Sequence, residues 1–549
     1  MTSTEQTSTL IEANLVRRYL DAGWWGTQSL PDLVRGQADR RPDATAYVAG
    51  RHRTSWRAYD AFADDIAQVL VGLGVPPGET VAVCLPDTVH VHAAMLATAR
   101  AGVIAMGIGI RAGDREAAHL VRRTGARVLV TLPERGGRPA TDLVARMRAA
   151  GVGLTTHIVL SDEGVAEIYD VAGAAPVRLA VPRSDPATVA ERSLGPHELT
   201  MLNSTSGTTG LPKCVSQFDS RWLYFSQLAI DAGDLGADDV FLGAVPAPFG
   251  FGLWTSHYAP AVLGVPTIVL PKFDIEDLIR TIERERATVL CCVSTQLRML
   301  MNSPLAREAD LSSLRVMFTG GEAVPYDRAA EFEDRTGAIV LQFYGSNETG
   351  ALSYTTRHDP REKRLRTAGR LIPQMQVRLF DEQGRDVTAS GGPGRPAGRG
   401  PLVCAGYYDD PAANEQLYTP DGWMLMGDVV TVEDGFLTVV GRTSDIIIRG
   451  GKNISAAQVE DEIDTHPHVD LVSVVAVPDE VFGERVCAVV SLRHGATLDL
   501  PELLDHLAAC GVGKDLYPER LLVVDEMPRA SGGKIAKGEV RRLAAALQV

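Results

Sequence analysis

Between residues 45 and 345 the chain alternates short apolar runs with stretches whose apolar positions recur every three or four residues. Gly78-Glu79-Thr80 leads into Val81-Ala82-Val83-Cys84-Leu85, which predicts a strand; His90 to Ala101 then reads as a helix and Arg127 to Thr131 as another strand. The pattern returns as strand Thr267 to Leu270, helix Ile275 to Arg286, strands Val289 to Val293 and Arg315 to Phe318, helix Asp327 to Thr336 and strand Ile339 to Phe343. Strands alternating with helices predict parallel, doubly wound sheets. In such sheets ligands sit beyond the carboxyl ends of the strands, where the loops gather.

After residue 370 the texture changes. Val377 to Phe380, the turn Glu382-Gln383-Gly384 and the Gly/Pro-rich run from Gly391 to Pro401 predict antiparallel strands with long turns. Trp423 to Val430 and Phe436 to Val440 flank Glu433-Asp434-Gly435 as a hairpin. Beyond Gly441-Arg442-Thr443-Ser444-Asp445 come a strand from Ile446 to Ile448, a Gly-Gly turn and a helix capped by Ser455, so a boundary is placed at 443. The expected fold is α/β: a large domain over 1–443, built of doubly wound α/β subdomains and a β-rich subdomain, and a small mobile α+β domain over 444–549.

Composition narrows the function. At 549 residues, two or more domains are the default, and 45% hydrophobic with 22% charged residues describes a folded chain. A formal charge of −15 disfavours a nonspecific grip on nucleic acid or anionic lipid, so any phosphate site must be made locally. The first nine residues, MTSTEQTST, lack the basic start and apolar run of a secretory signal, and no apolar run approaches the ~20 residues needed for a membrane span. A cytoplasmic location is expected. Cys84, Cys214, Cys291, Cys292, Cys404, Cys487 and Cys510 are odd in number and never spaced as C-x-x-C, which argues against both a disulfide framework and a zinc site.

One segment has no apolar period at all: Thr205-Ser206-Gly207-Thr208-Thr209-Gly210-Leu211-Pro212-Lys213, directly after an apolar stretch. Glycines let backbone N–H groups close on an anion, hydroxyls add donors and the lysine adds charge. The P-loop pattern G-x-x-x-x-G-K-[ST] fails here, because Pro212 stands at the second glycine and Cys214 at the metal-binding hydroxyl. Alone, the segment reads either as a phosphate cradle or as a Ser/Thr/Gly-rich surface turn.

Further motifs follow in order. Phe318-Thr319-Gly320-Gly321-Glu322-Ala323-Val324-Pro325 ends an apolar run, and Phe343-Tyr344-Gly345-Ser346-Asn347-Glu348 ends another. Trp423-Met424-Leu425-Met426-Gly427-Asp428, Gly441-Arg442 and Ser531-Gly532-Gly533-Lys534 complete the set. Together they resemble the adenylate-forming (ANL) enzymes: acyl-CoA synthetases, stand-alone adenylation domains and luciferases. The resemblance runs along nearly the whole chain, and Trp24-Trp25-Gly26 with Asn347-Glu348-Thr349 is similar to the branch that activates cyclohexanecarboxylate-type and aryl acids.

The resemblance implies roles. Thr205, Ser206, Gly207, Thr208, Thr209, Gly210 and Lys213 would close over the β and γ phosphates of ATP. Gly321, Glu322 and Ala323 would border adenine and one wall of the acyl pocket, with Gly320 beside them, and Tyr344 and Gly345 would lie near adenine. Glu348 would bind Mg2+, and Asn347, where the family usually has Thr, would meet the α phosphate. Asp428 would accept the ribose hydroxyls, Arg442 would meet ribose or the α phosphate, and Ser444 would be the hinge. Lys534 would be the mobile catalytic lysine, while Gly450 and Gly451 would line a tunnel for an incoming thiol. Phe249, Gly250, Phe251 and Gly252 occupy the region of the acyl pocket; no Asp lies between Gly243 and Ser256 to pair an ammonium, and His257 reads as a packed or surface histidine rather than a ligand.

The implied reaction uses ATP and Mg2+ to join a neutral, mainly apolar carboxylic acid to AMP, then passes the acyl group to the thiol of CoA. A second reading gives the acyl group to the phosphopantetheine of an acyl carrier protein, or stops at the adenylate. Fifteen residues follow Lys534, so such a carrier is expected to act in trans. A third is a nucleotide-binding protein without catalysis, to which Cys214, Asn347 and Met426 point. The acid, the pathway and the assembly, a homodimer included, stay open at this stage.

Overall fold

The computed structural model of the chain describes residues 11–205, 212–321, 324–442, 445–449, 452–479, 482–510, 512–530 and 534–546. Two large sheets dominate it. The first has eight strands in the order Val177–Leu179, Gly164–Asp170, Thr156–Ser161, Val128–Thr131, Thr80–Val83, Ile104–Gly107, Met201–Ser204 and Cys214–Gln217. Its middle pairs are parallel and its margins antiparallel. Every residue of Thr80–Val83 and Ile104–Gly107 is buried, as expected of parallel strands covered on both faces.

The second sheet has eleven strands: His52–Ser55, Thr45–Ala49, Thr267–Val269, Phe241–Gly243, Val289–Cys291, Val316–Gly320, Ile339–Ser346, Gly350–Tyr354, Arg370–Leu371, Phe436–Arg442 and Asp428–Glu433. From Thr45–Ala49 to Ile339–Ser346 the pairings are parallel; beyond Gly350 they are antiparallel. One apolar cluster joins Val81 and Val130 of the first sheet to Val289 and Phe318 of the second. The helix Val89–Arg100, buried from His90 onward, contributes to the same cluster. Loops leaving the carboxyl ends of Val316–Gly320 and Ile339–Ser346 carry two of the motifs.

The hairpin expected from Trp423 to Val440 divides. Met424–Leu425 pairs with Arg395–Arg399 in a separate three-stranded sheet, whereas Asp428–Glu433 and Phe436–Arg442 extend the eleven-stranded sheet through Arg370 and Phe436. Part of the β-rich region is thus a continuation of the α/β sheet, because the ladder runs on past the last parallel strand.

The small C-terminal domain has its own mixed sheet, with Lys452–Ser455, Ile446–Arg449, Gly483–Leu492 and Val469–Asp479 in that order and Arg520–Val524 parallel to Gly483–Leu492. Helices Ala456–Asp464, Leu500–Ala509 and Lys537–Ala546 cover it. Its two apolar clusters, around Val459 and Leu503 and around Val475 and Val540, take no residue from before Ile447. Among the described residues no helix is long and apolar enough to cross a membrane.

Candidate active site

The hydroxyl- and glycine-rich segment springs from the antiparallel pair Met201–Ser204 and Cys214–Gln217. Two bonds close its neck: the Thr205 amide donates to the Lys213 carbonyl at 3.0 Å and the Lys213 amide to Thr205 Oγ1 at 3.1 Å. Ser206, Gly207, Thr208, Thr209 and Gly210 lie outside the described residues, as do Glu322, Ala323, Ser444, Gly450 and Gly451; of Arg442 only the backbone is described. Cys214, where a P-loop has its hydroxyl, is buried in the apolar cluster under the first sheet, and burial pushes its thiol up to about 12. It is a core residue facing away from solvent.

Glu348 sits in the turn between Ile339–Ser346 and Gly350–Tyr354, fixed by amides 348 and 349 donating to Ser346 Oγ at 3.2 and 3.0 Å. Its Oε1 accepts the Tyr407 hydroxyl at 2.7 Å; among the described residues no donor meets Oε2. Burial, and then the Glu348 charge, raise the Tyr407 phenol above its ordinary value, so it stays a donor. The same ring lies 4.7 Å beneath Lys213 Nζ. Tyr407 is itself held by the pairing of its segment with the strand Cys214–Gln217, where the Ser216 amide donates to Gly406 and the Tyr408 amide to Cys214. One tyrosine therefore couples the neck of the loop to the carboxylate. A carboxylate with one oxygen bonded and the other unmet by donors among the described residues fits a hard cation such as Mg2+.

Asn347, next to it, faces inward. Its Nδ2 donates to Asn203 Oδ1 at 2.8 Å, and its Oδ1 accepts from Asn203 Nδ2 at 3.1 Å and Gln217 Nε2 at 3.2 Å. Arg221 donates to the Asn347 carbonyl at 3.1 Å and to Gln217 Oε1. Arg221 is 1% exposed, and burial pushes it down to about 10 while the Glu348 charge pulls the other way. At neutral pH it is a buried cation behind the Glu348 turn.

Asp428 begins its strand with its Oδ2 accepting the Tyr344 hydroxyl at 2.9 Å, and in register it stands opposite Arg442. Lys534 reaches the same region from the small domain: its Nζ donates to the Gly321 carbonyl at 3.0 Å. Gly321 has φ +75°, a left-handed conformation that favours glycine, and the missing Cβ leaves room for Lys534 Nζ, which would stand 2.6 Å from it. Gly320 and Gly345 lie in the adjoining strands Val316–Gly320 and Ile339–Ser346.

Phe249, Gly250, Phe251 and Gly252 lead into a π-helical turn, Trp254–Tyr258. Phe251 packs on Trp254, and Trp254 on Phe225, Phe318 and Phe343, with ring centroids 5.2–5.7 Å apart. A Cβ on Gly250 would lie 2.8 Å from Asn347 Oδ1, so this glycine lets the apolar segment close on the amide network. His257 is buried, its Nδ1 3.2 Å from that of His92; burial holds His92 down to about 3 and His257 well below the ordinary value, so both are neutral.

Sequence reading missed Asn203, Gln217, Arg221, Tyr407 and Asp87. Asn203 and Gln217 had a faint signal, as polar residues within or ending apolar strands. Asp87 had none: 160 positions from Ala247, it accepts that residue's amide at 3.3 Å. Burial pushes its carboxyl up to about 8, and His92 Nε2 lies 3.3 Å from its Oδ1.

The family described as AMP-binding enzyme matches residues 34–408, and that described as AMP-binding enzyme C-terminal domain matches 458–534. A 2-hydroxy-7-methoxy-5-methyl-1-naphthoate–CoA ligase of Streptomyces carzinostaticus is 31% identical, the match covering 97% of this chain and 96% of that one. A salicylyl-CoA synthase / salicylate adenylyltransferase of a Streptomyces species is 30% identical, with 95% of each chain covered. The crystal structure of ATP-bound MatB from Rhodopseudomonas palustris superimposes with a TM-score of 0.78 at 26% identity, covering 95% of this chain and 100% of that one.

Proposed function

The chain belongs to the AMP-binding enzyme family of AMP-forming ligases, and from that membership we propose that it activates a neutral, mainly apolar carboxylic acid as the acyl adenylate and then forms the thioester of CoA. The observation that carries this reading is convergence. Lys213, Glu348, Asp428 and Lys534, from four separate parts of the chain, are tied to one another's neighbourhood through Tyr407, Tyr344 and the Gly321 carbonyl.

A carboxylate is a poor electrophile, because its charge is delocalised and its leaving group would be oxide. In the proposed first step an oxygen of the acid attacks the α phosphorus of ATP, forming an O–P bond as the bond to pyrophosphate breaks. Such displacement is catalysed mainly by positioning and charge neutralisation. Lys534 would meet the charge developing on the α phosphate, and Lys213 with the 205–213 loop would steady the departing phosphates. Glu348 would hold Mg2+, which supplies further neutralisation when bound. Asp428 would accept ribose hydroxyls in place of the Tyr344 hydroxyl or beside it. An α-phosphate contact from Asn347 would require its amide to give up a bond to Asn203 or Gln217. In the second step the thiol sulfur attacks the acyl carbon and AMP leaves with the bonding pair.

The acid is read from the lining: Phe249, Phe251 and the aromatic cluster around Trp254 offer apolar surface. Relatives named for CoA ligation support CoA as the first acceptor to test, and the name adenylyltransferase keeps adenylation alone, with or without a carrier protein, as the second reading. Acid-dependent ATP–pyrophosphate exchange over a panel of aryl, alicyclic, short- to medium-chain and amino acids tests the first step. Exchange is expected with apolar acids; exchange with amino acids alone, or with none, defeats the reading. Thioester formation with CoA, measured on the active acid, then decides between acceptors.

A further inference from the structure

The small domain carries a donor cluster apart from the residues assembled above. The turn between Ala456–Asp464 and Val469–Asp479 supplies His466 and His468, and the helix Leu500–Ala509 supplies Glu502. One nitrogen of each imidazole and one carboxylate oxygen lie within 4.8 Å of one another. The edge of a tetrahedral site with bonds of about 2.1 Å is roughly 3.4 Å, the distance at which Glu502 Oε1 already stands from His468 Nδ1. His506 stands one helical turn beyond Glu502, its ring centroid 4.7 Å from that of His466.

Outer contacts already orient these rings. The Thr497 carbonyl lies 2.9 Å from His468 Nδ1; a carbonyl can only accept, so His468 keeps its lone pair on Nε2. The His468 amide donates to His466 Nδ1 at a long 3.2 Å, which is the contact a metal would replace. His466 is 3% exposed, and its ring lies 5.2 Å from that of His468 and 4.7 Å from that of His506.

We propose that His466, His468 and Glu502 bind one divalent first-row transition ion. Imidazole and carboxylate donors suit Zn2+ and its neighbours in the series rather than Mg2+ or Ca2+. The site lies beside the contact between domains: Asp464 is 3.6 Å from Arg298 and 3.8 Å from Arg328, and Asp470 accepts from Asn302 at 3.1 Å. A bound ion clamps the 465–468 turn to the helix Leu500–Ala509 and stiffens that face.

The test is titration of the untagged full-length protein with Zn2+ by calorimetry, and with Co2+ by its visible ligand-field absorption. One ion per chain is expected. His468→Ala should weaken binding about 100-fold and Glu502→Gln about 10-fold, while His358→Ala, at an exposed histidine elsewhere, changes nothing. Both test positions are at least partly exposed, so the variants are expected to fold, and melting curves in chelator check this. Absence of binding, or equal affinity in His468→Ala and Glu502→Gln, overturns the proposal.

Discussion

Lys534 and Lys537, the first residue of the helix Lys537–Ala546, are neighbours in sequence and are held by different means. Lys537, 21% exposed, lies 3.1 Å from Asp445 and 3.0 Å from Glu460, and Arg541 adds a 2.6 Å contact to Asp445. All of these groups belong to the small domain. Lys534 instead crosses to the backbone carbonyl of Gly321 in the large one. That contact crosses between the domains, whereas the Lys537 contacts stay within one. One lysine thus reads as part of the small domain's frame and the other as its working tip. Asp445 follows the proposed hinge residue Ser444 directly and is tied to the last helix, so a rotation would be absorbed before residue 445 and would carry the Lys537 cluster intact while parting Lys534 from Gly321.

The comparison is broken most directly at Lys534. Lys534→Ala is expected to slow acid-dependent ATP–pyrophosphate exchange by about 10²–10³, the cost of one preorganised donor. It should leave unfolding free energy within ~0.5 kcal/mol and largely spare thioester formation from supplied acyl adenylate. Equal loss in both half-reactions, measured side by side, would remove the distinction between tip and frame.

Lys537→Met should do the reverse. It leaves Asp445 and Glu460 short of a cation, for a loss of about 2–3 kcal/mol in urea unfolding, below the full cost of a buried pair because Arg541 remains. Exchange per folded molecule should be unchanged. The two carboxylates raise the Lys537 pKa despite burial. Its stabilisation is therefore complete below the unfolded value of about 10.4 and fades as pH rises through the higher folded value. Wild type should lose stability relative to Lys537→Met only in that alkaline range; a gap that closes already between pH 7 and 9 would contradict the ion-pair account.

Much of this architecture is legible in the chain, for reasons particular residues make plain. Thr80–Val83, Val289–Cys291 and Ile339–Ser346 are apolar runs bounded by polar turns, and Ile275–Glu285 buries Leu278, Ile279 and Ile282 at helical spacing. The reading failed where one apolar stretch served two sheets, at Met424–Leu425 and Asp428–Glu433. Motif residues stood out because glycine, hydroxyl and charge interrupt the periodicity. Their supports did not: Tyr344 on Asp428, Tyr407 on Glu348 and the Asn203–Gln217–Asn347 network are contacts across 84, 59 and more than 120 positions, and no local pattern encodes them. The metal cluster escaped for the same reason, its histidines and glutamate coming from a turn and a distant helix.

The smallest effect sharpens the comparison furthest. Arg541 is 31% exposed, so Arg541→Ala alone should cost only about 0.5–1 kcal/mol in urea unfolding. Asp445, at 13% exposure, is what couples it to Lys537. Lys537 and Arg541 share that carboxylate, so each single variant leaves one of the two cations in place. The double variant Lys537→Met/Arg541→Ala should therefore lose more than the sum of the single losses, by on the order of 1 kcal/mol. Strict additivity would mean that the two cations act on separate carboxylates, Lys537 through Glu460 and Arg541 through Asp445. The residue after Ser444 would then be held to the last helix by one exposed pair, too weak to fix where the pivot ends.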